Sequence, residues 1–175
     1  MPDEPWKELA GDLFEFFGRH YLVVVDYYSR WIEAIPLSAQ TSQAVIAALK
    51  SVFARLGIPR GLRSDNGPRF ASETFKSFSK HPRWNFDFRT SSPRYPQSNG
   101  LAERVFRTVK SLWSKDQDRE GALLEYRDTP LQFGFSQVEL LYGRQIGTSL
   151  GFRPNCQLTL KHLKVPLYNK LTTTA

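Results

Sequence analysis

Three acidic residues, Asp12, Asp65 and Glu103, stand far apart in the chain, each in a setting that suits a shared metal site. Displacement at a phosphodiester puts developing charge on both the attacking and the leaving oxygen. Two divalent ions about 3.5–4 Å apart can stabilise both at once. Magnesium prefers oxygen ligands and keeps several waters, so a few carboxylates are enough. They must converge from separate elements, because no single element surrounds two ions. Asp12 lies inside an apolar stretch beside Leu13 and Phe14, Asp65 falls where a short strand ends in a turn, and Glu103 opens a helix after a Gly-bearing loop. Each also has a structural explanation. Asp12 suits the polar face of a strand, and Asp65-Asn66-Gly67 is ordinary turn chemistry. A glutamate at a helix start gains about 0.3–1 kcal/mol from the macrodipole. The neighbouring acids read as structural: Asp26 pairing with Arg30 or capping a turn at Tyr28-Ser29, Glu33 within a strand, and Glu15 facing with Leu13, away from Asp12.

The elements that must bring these acids together follow from hydrophobic periodicity. Leu9–Phe17 reads as a strand holding Asp12, His20–Asp26 as a buried strand and Trp31–Leu37 as a third. Gly18-Arg19 and Ser29-Arg30 supply the turns of an antiparallel meander. The period then changes. Thr41-Ser42 offers an N-cap to a helix over Ala44–Leu56, with Val45, Ala48, Leu49, Val52 and Phe53 on one side and a stop at Gly57 and Pro59. Leu62–Ser64 is a short strand, Asn66-Gly67-Pro68 a turn, Ser72 the cap of a helix carrying Phe75 and Phe78, and Phe86–Arg89 a fifth strand. Residues 91–100 (SSPRYPQSNG) read as a loop. Helices are expected over Leu101–Trp113, with Val105, Val109 and Leu112 as its apolar stripe, over Gly121–Tyr126 and over Gln137–Tyr142. Strands first, then strands alternating with helices, predict an α/β fold: a five-stranded mixed sheet flanked by about five helices.

Composition limits the partners. The 175 residues amount to one domain, and the hydrophobic fraction of 41% and aromatic fraction of 14% support a real core. The single cysteine, Cys156, excludes an internal disulfide and a Cys-rich zinc site, so a reducing compartment is expected. No membrane span or leading signal segment is legible. The net charge of +7 is unevenly placed: −1 over residues 1–60, +7 over 61–115 and +1 over 116–175. A basic middle third is the footprint expected of a protein that meets phosphates.

Longer stretches carry a resemblance. SDNGPRF (64–70), followed by SSPRYPQSNGLAERVFRTVK (91–110), resembles the integrase catalytic core of gypsy-type LTR retrotransposons and, more distantly, of retroviruses. DLFEFFGRHYLVVVDYYSRWIEA (12–34), AVIAALKSVFARLGIPRGLRSDNGP (44–68) and YRDTPLQFGFSQVELLYGR (126–144) match the same family in order, so the resemblance runs over residues 5–150. It implies a ribonuclease-H-like fold and a site of Asp12, Asp65 and Glu103 holding two Mg²⁺ (or Mn²⁺) ions. It implies 3′-end processing and strand transfer on double-stranded DNA, both element ends and target, by a dimer or larger homo-oligomer. The expected location is the nucleus, after passage through the cytoplasm. No protein nucleophile is required, in keeping with the lack of a Ser-His or Cys-His arrangement.

Within that resemblance Arg107 and Lys110 share a helical face with Glu103 and would hold DNA phosphates. The plain alternative is an i,i+4 Glu–Arg pair worth about 0.2–0.5 kcal/mol. Gln97, Ser98 and Asn99 could reach a sugar, base or phosphate, or cap the helix. Tyr95 could stack on DNA or pack the loop, and Arg94 is counted among the DNA contacts. The sequence departs from the family pattern in two ways. The 37 residues between Asp65 and Glu103 exceed the usual spacing by about two, around Ser79–Asn85, and Gln137 stands where the family often has proline. Three histidines and one cysteine cannot build the family's upstream zinc domain, and residues 151–175 read as an irregular extension. An excised core, a degraded copy and a host-adopted binding module without catalysis therefore stay open beside the active enzyme.

Overall fold

The computed structural model describes residues 2–90, 100–132, 134–149 and 151, with the side chains of residues 100–103 outside the described set. Five strands, β1 (Glu8–Phe16), β2 (Arg19–Asp26), β3 (Ile32–Pro36), β4 (Gly61–Ser64) and β5 (Asp87–Thr90), form one sheet in the order β3-β2-β1-β4-β5. The first three pair antiparallel, whereas β4 lies parallel to β1 and β5 parallel to β4. This is the mixed sheet expected from the change of period after Leu37. The switch has a simple cause, since the α1 (Ser42–Leu56) crossover returns the chain to the same end of the sheet.

Local chemistry sets the helix boundaries. Thr41 accepts a hydrogen bond from the Ala44 amide to cap α1, and Gly57, at φ 92°, ends it. Ser72 caps α3 (Glu73–Ser79) through the Phe75 amide. α6 (Gln137–Tyr142) opens on a reciprocal capping box between Ser136 and Glu139. Two expectations need correction. Where a turn alone was expected after Asp65, a four-residue helix, α2 (Pro68–Ala71), follows, because a proline at its start pre-sets the helical φ. Asp118 accepts from the Gly121 amide, so α5 begins early and spans Arg119–Asp128. With α4 (Gly100–Lys115) the described residues hold six helices, not about five, and α4 starts inside the segment expected to be loop.

Strand alternation splits the core in two. Leu9, Leu22, Val24 and Leu62 meet Val45, Leu49, Val52 and Phe53 of α1 and Phe75 and Phe78 of α3 on one side. Ala10, Phe14, Phe16, Val23 and Val25 meet Val105, Val109 and Trp113 of α4 on the other. The outer edge of β3 is clasped by Arg127 on α5. Its Nε donates 2.9 Å to the Ile32 carbonyl, Nη2 donates to the same oxygen, and the guanidinium sits 4.2 Å from the Trp31 ring centroid.

Candidate active site

Asp12 belongs to the even-numbered set of β1, between Ala10 and Phe14, and so faces α4. It is half-buried, and its Oδ1 accepts a 2.7 Å hydrogen bond from the Leu13 amide. β1 and β4 run side by side with Gly11 opposite Ser64, so Asp12 and Asp65 occupy the next positions along neighbouring strands, about 4.8 Å apart laterally. Asp65 is exposed just past the end of β4. Its Oδ1 accepts from the Gly67 amide at 3.1 Å. A Cβ on Gly67 would stand 3.0 Å from that oxygen, so the glycine gives the carboxylate room to fold over the turn. The sheet thus brings two of the three predicted acids together.

Glu103 lies on α4, and its side chain falls outside the described residues. The helix axis is nevertheless well fixed. Trp113 packs on Phe16 and Tyr21 with ring centroids 5.7 and 4.9 Å apart, and Phe106 stacks on Phe14 at 6.2 Å. Going back along α4 therefore means going back along β1, from Phe16 through Phe14 toward Asp12. Glu103 comes three residues, about 4.5 Å of helix, before Phe106. Its backbone position approaches the level of Asp12.

The predicted DNA contacts fare differently. Arg107 is exposed, whereas Lys110 is half-buried, with its ammonium 5.2 Å from the Phe106 ring centroid and 5.9 Å from that of Phe14. Arg94, Tyr95, Gln97, Ser98 and Asn99 lie outside the described residues. The competing acids have structural partners. Asp26 is fully buried, and its Oδ2 accepts from the Ser29 amide and hydroxyl at 2.9 and 2.6 Å, so it caps the turn. Glu33 accepts from the Trp31 indole at 2.9 Å and pairs with Arg55 at 3.4 Å and Arg127 at 3.7 Å. Glu15 is exposed.

A second charged group, not anticipated from sequence, borders the acids. Arg63 sits two residues before Asp65 on the same face, opposite Ala10, with its Nε 3.9 Å from Glu8. A Cβ on Gly61 would fall 2.6 Å from the Glu8 carboxylate, so glycine there lets Glu8 lie flat on the strand. Strand alternation back from Asp65 would have flagged Arg63. Oxygen-only donors on two hydrogen-bonded strands suit a hard cation such as magnesium or manganese. Among the described residues no group of three metal-ligating side chains occurs, because the third acid is outside them.

Comparison with known proteins places this arrangement. The Integrase core domain model matches residues 4–96. The Gag-Pol polyprotein of koala retrovirus is 34% identical over 139 residues, covering 73% of this chain and 8% of the relative. The Pol polyprotein of feline endogenous virus ECE1 is 34% identical over 136 residues, covering 71% and 13%. The chain thus spans about a tenth of the length of these curated relatives. Among solved structures, a simian T-cell lymphotropic virus intasome in complex with PP2A regulatory subunit B56 gamma superimposes with a TM-score of 0.72 at 24% identity, covering 88% of this chain and 60% of that one. The catalytic core domain of BIV integrase gives 0.68 at 22%, covering 79% and 95%. The HTLV-2 integrase catalytic core domain in complex with magnesium gives 0.65 at 22%, covering 79% and 98%. The sheet and its flanking helices are therefore the fold of integrase catalytic cores, the ribonuclease-H-like fold.

Proposed function

This chain belongs to the integrase core domain family, and from that premise we propose that it is the catalytic core, over residues 5–150, of a gypsy-type retroelement integrase acting on double-stranded DNA in the nucleus. The observation that carries the reading is the placement of Asp12 and Asp65 at adjacent positions on two paired strands, facing the helix that bears Glu103. In 3′-end processing a water oxygen bonds to phosphorus and the 3′ oxygen of the element strand leaves. In strand transfer that 3′ hydroxyl bonds to a target phosphorus and a target 3′ oxygen leaves. The two steps are the same in-line displacement, so one site serves both.

Asp12, Asp65 and Glu103 would hold two Mg²⁺ or Mn²⁺ ions, which when bound stabilise charge on the attacking and departing oxygens. The magnesium complex of the HTLV-2 core supports this assignment. Asp12 is steadied by the Leu13 amide and Asp65 by the Gly67 amide, which limits the freedom either loses on binding cations. Arg107, exposed on α4, would contact DNA phosphates, together with Lys110 and the predicted residues Arg94, Tyr95, Gln97, Ser98 and Asn99. Assembly as a homo-oligomer is proposed from the dimeric and trimeric forms of the HTLV-2 core and from the intasome.

The test is a strand-transfer assay with Mn²⁺ on the native chain and on Glu103→Gln. Joining by the native chain and its loss in the variant are expected. Equal activity in both would remove the enzyme reading and leave an adopted binding module. Cutting without joining would mark a plain nuclease.

A further inference from the structure

The β2–β3 turn holds an arginine where the backbone disfavours one. Arg30 has φ 65°, a left-handed conformation that glycine or asparagine adopts with less strain. The turn is fixed by the Arg30 amide donating to the Asp26 carbonyl and the Asp26 amide donating to Trp31, each at 3.0 Å. Among the described residues no hydrogen bond or ion pair engages the Arg30 guanidinium. It is nevertheless more than half buried, and burial together with the charge of Arg104 on α4 pulls its pKa down, against the opposing charge of Asp26.

A third cation stands close by. The Arg63 guanidinium carbon is 5.8 Å from the Tyr27 ring centroid, and the Tyr27 phenol lies in the field of both Arg63 and Arg30. The Tyr27 amide donates to the Glu8 carbonyl, which ties this turn to the start of β1. Arg63 lies on the sheet face of Asp12, about 7 Å along its strand from Asp65. The acids facing the group are Glu8, beside Arg63, and Asp26, whose Oδ2 is taken up by Ser29. Like charges held together at a strained backbone position are stabilised when an anion joins them, and guanidinium forks match phosphate oxygens.

We propose that Arg30 and Arg104, with Arg63 across the Tyr27 ring, form a seat for a backbone phosphodiester next to the one that reacts at Asp12 and Asp65. These are positioning residues, and their assignment to DNA rests on the function proposed above. The seat holds a neighbouring phosphate while the reacting phosphorus lies over the acids.

Two measurements on the full chain test this, comparing native protein with Arg30→Gly and Arg30→Lys. Arg30→Gly suits the backbone and so remains folded. First, inorganic phosphate at constant ionic strength should raise the melting temperature of the native chain and of Arg30→Lys, and do so much less in Arg30→Gly. Second, for a DNA duplex, the slope of log affinity against log salt should flatten by about 0.9 in Arg30→Gly, the loss of one phosphate contact. An unchanged phosphate response and salt slope in a cooperatively melting Arg30→Gly would overturn the seat. Native protein that responds to phosphate through Arg30 but binds no duplex would keep an anion seat. It would overturn both its assignment to DNA and the integrase reading.

Discussion

Arg127 on α5 donates from two guanidinium nitrogens to the backbone carbonyl of Ile32, on the edge strand β3. The same side chain stacks on Trp31 and faces Glu33, which is 7% exposed. Burial lowers the Arg127 pKa and Glu33 opposes that shift. The clasp ties β3 to α5 and denies the strand edge to other chains.

Arg127→Met should therefore destabilise the fold by about 2–3 kcal/mol. It strips one cation from a buried carboxylate that keeps Arg55 and the Trp31 indole, so the loss falls below the about 3–5 kcal/mol of a fully broken buried pair. Urea denaturation measures it, and a change below about 0.5 kcal/mol would contradict the clasp.

The metal reading predicts a stability signature apart from catalysis. Mg²⁺ or Mn²⁺ should raise the melting temperature of the native chain, as any ligand bound only by the folded state does. Asp12→Asn and Asp65→Asn should lose that rise and reduce strand transfer by more than about 100-fold, exceeding the about 10–100-fold typical of residues that merely orient ligands. A metal-dependent rise retained by Asp12→Asn would place the cations elsewhere.

At the β1–β2 hairpin, Phe17 is 79% exposed, with φ 47°, followed by Gly18 at φ 70°. Phe17→Asn gives the Asn-Gly pair that such a two-residue turn favours. The variant should gain about 0.5 kcal/mol, the left-handed strain relieved being partly offset by the lost edge contact with Phe16. Calorimetry should show a melting point about 1–2 °C higher.

Alkaline pH should weaken the fold through its half-buried tyrosines. Burial raises the pKa of Tyr27, which Arg63 and Arg30 partly oppose, and it raises that of Tyr142. Both phenols are thus protonated more strongly in the folded chain than in the unfolded one. Their contribution is complete below the unfolded phenol pKa, about 10, and is lost as pH rises through the higher folded values. Phenolate absorbance should show groups ionising late in the native chain and normally in denaturant, with stability falling over the same interval.

Much of this architecture was legible in the chain because its signals are local. Thr41, Ser72 and Gly57 mark helix ends by their own side chains or by lacking one, and the alternation around Asp12 fixes which face it takes. The pairing of Asp12 with Asp65 was open to inference only through family wording, since register between strands 50 residues apart leaves no local mark. Arg127's clasp and the Arg30 turn were missed for the same reason. Arg30 resembles any polar turn residue until its backbone angle is known. The α2 helix was missed because Asn-Gly-Pro signals a turn, and proline also starts helices.

The docking of α4 changes how the spacing between the last two acids should be understood. Val109 and Trp113, downstream of Glu103, anchor that helix to β1 and β2. Residues inserted between Asp65 and Glu103 can be absorbed upstream without sliding the glutamate along its groove. The family's fixed interval is then a habit of connecting loops rather than a ruler for the site, and lengthened relatives need not be read as broken ones.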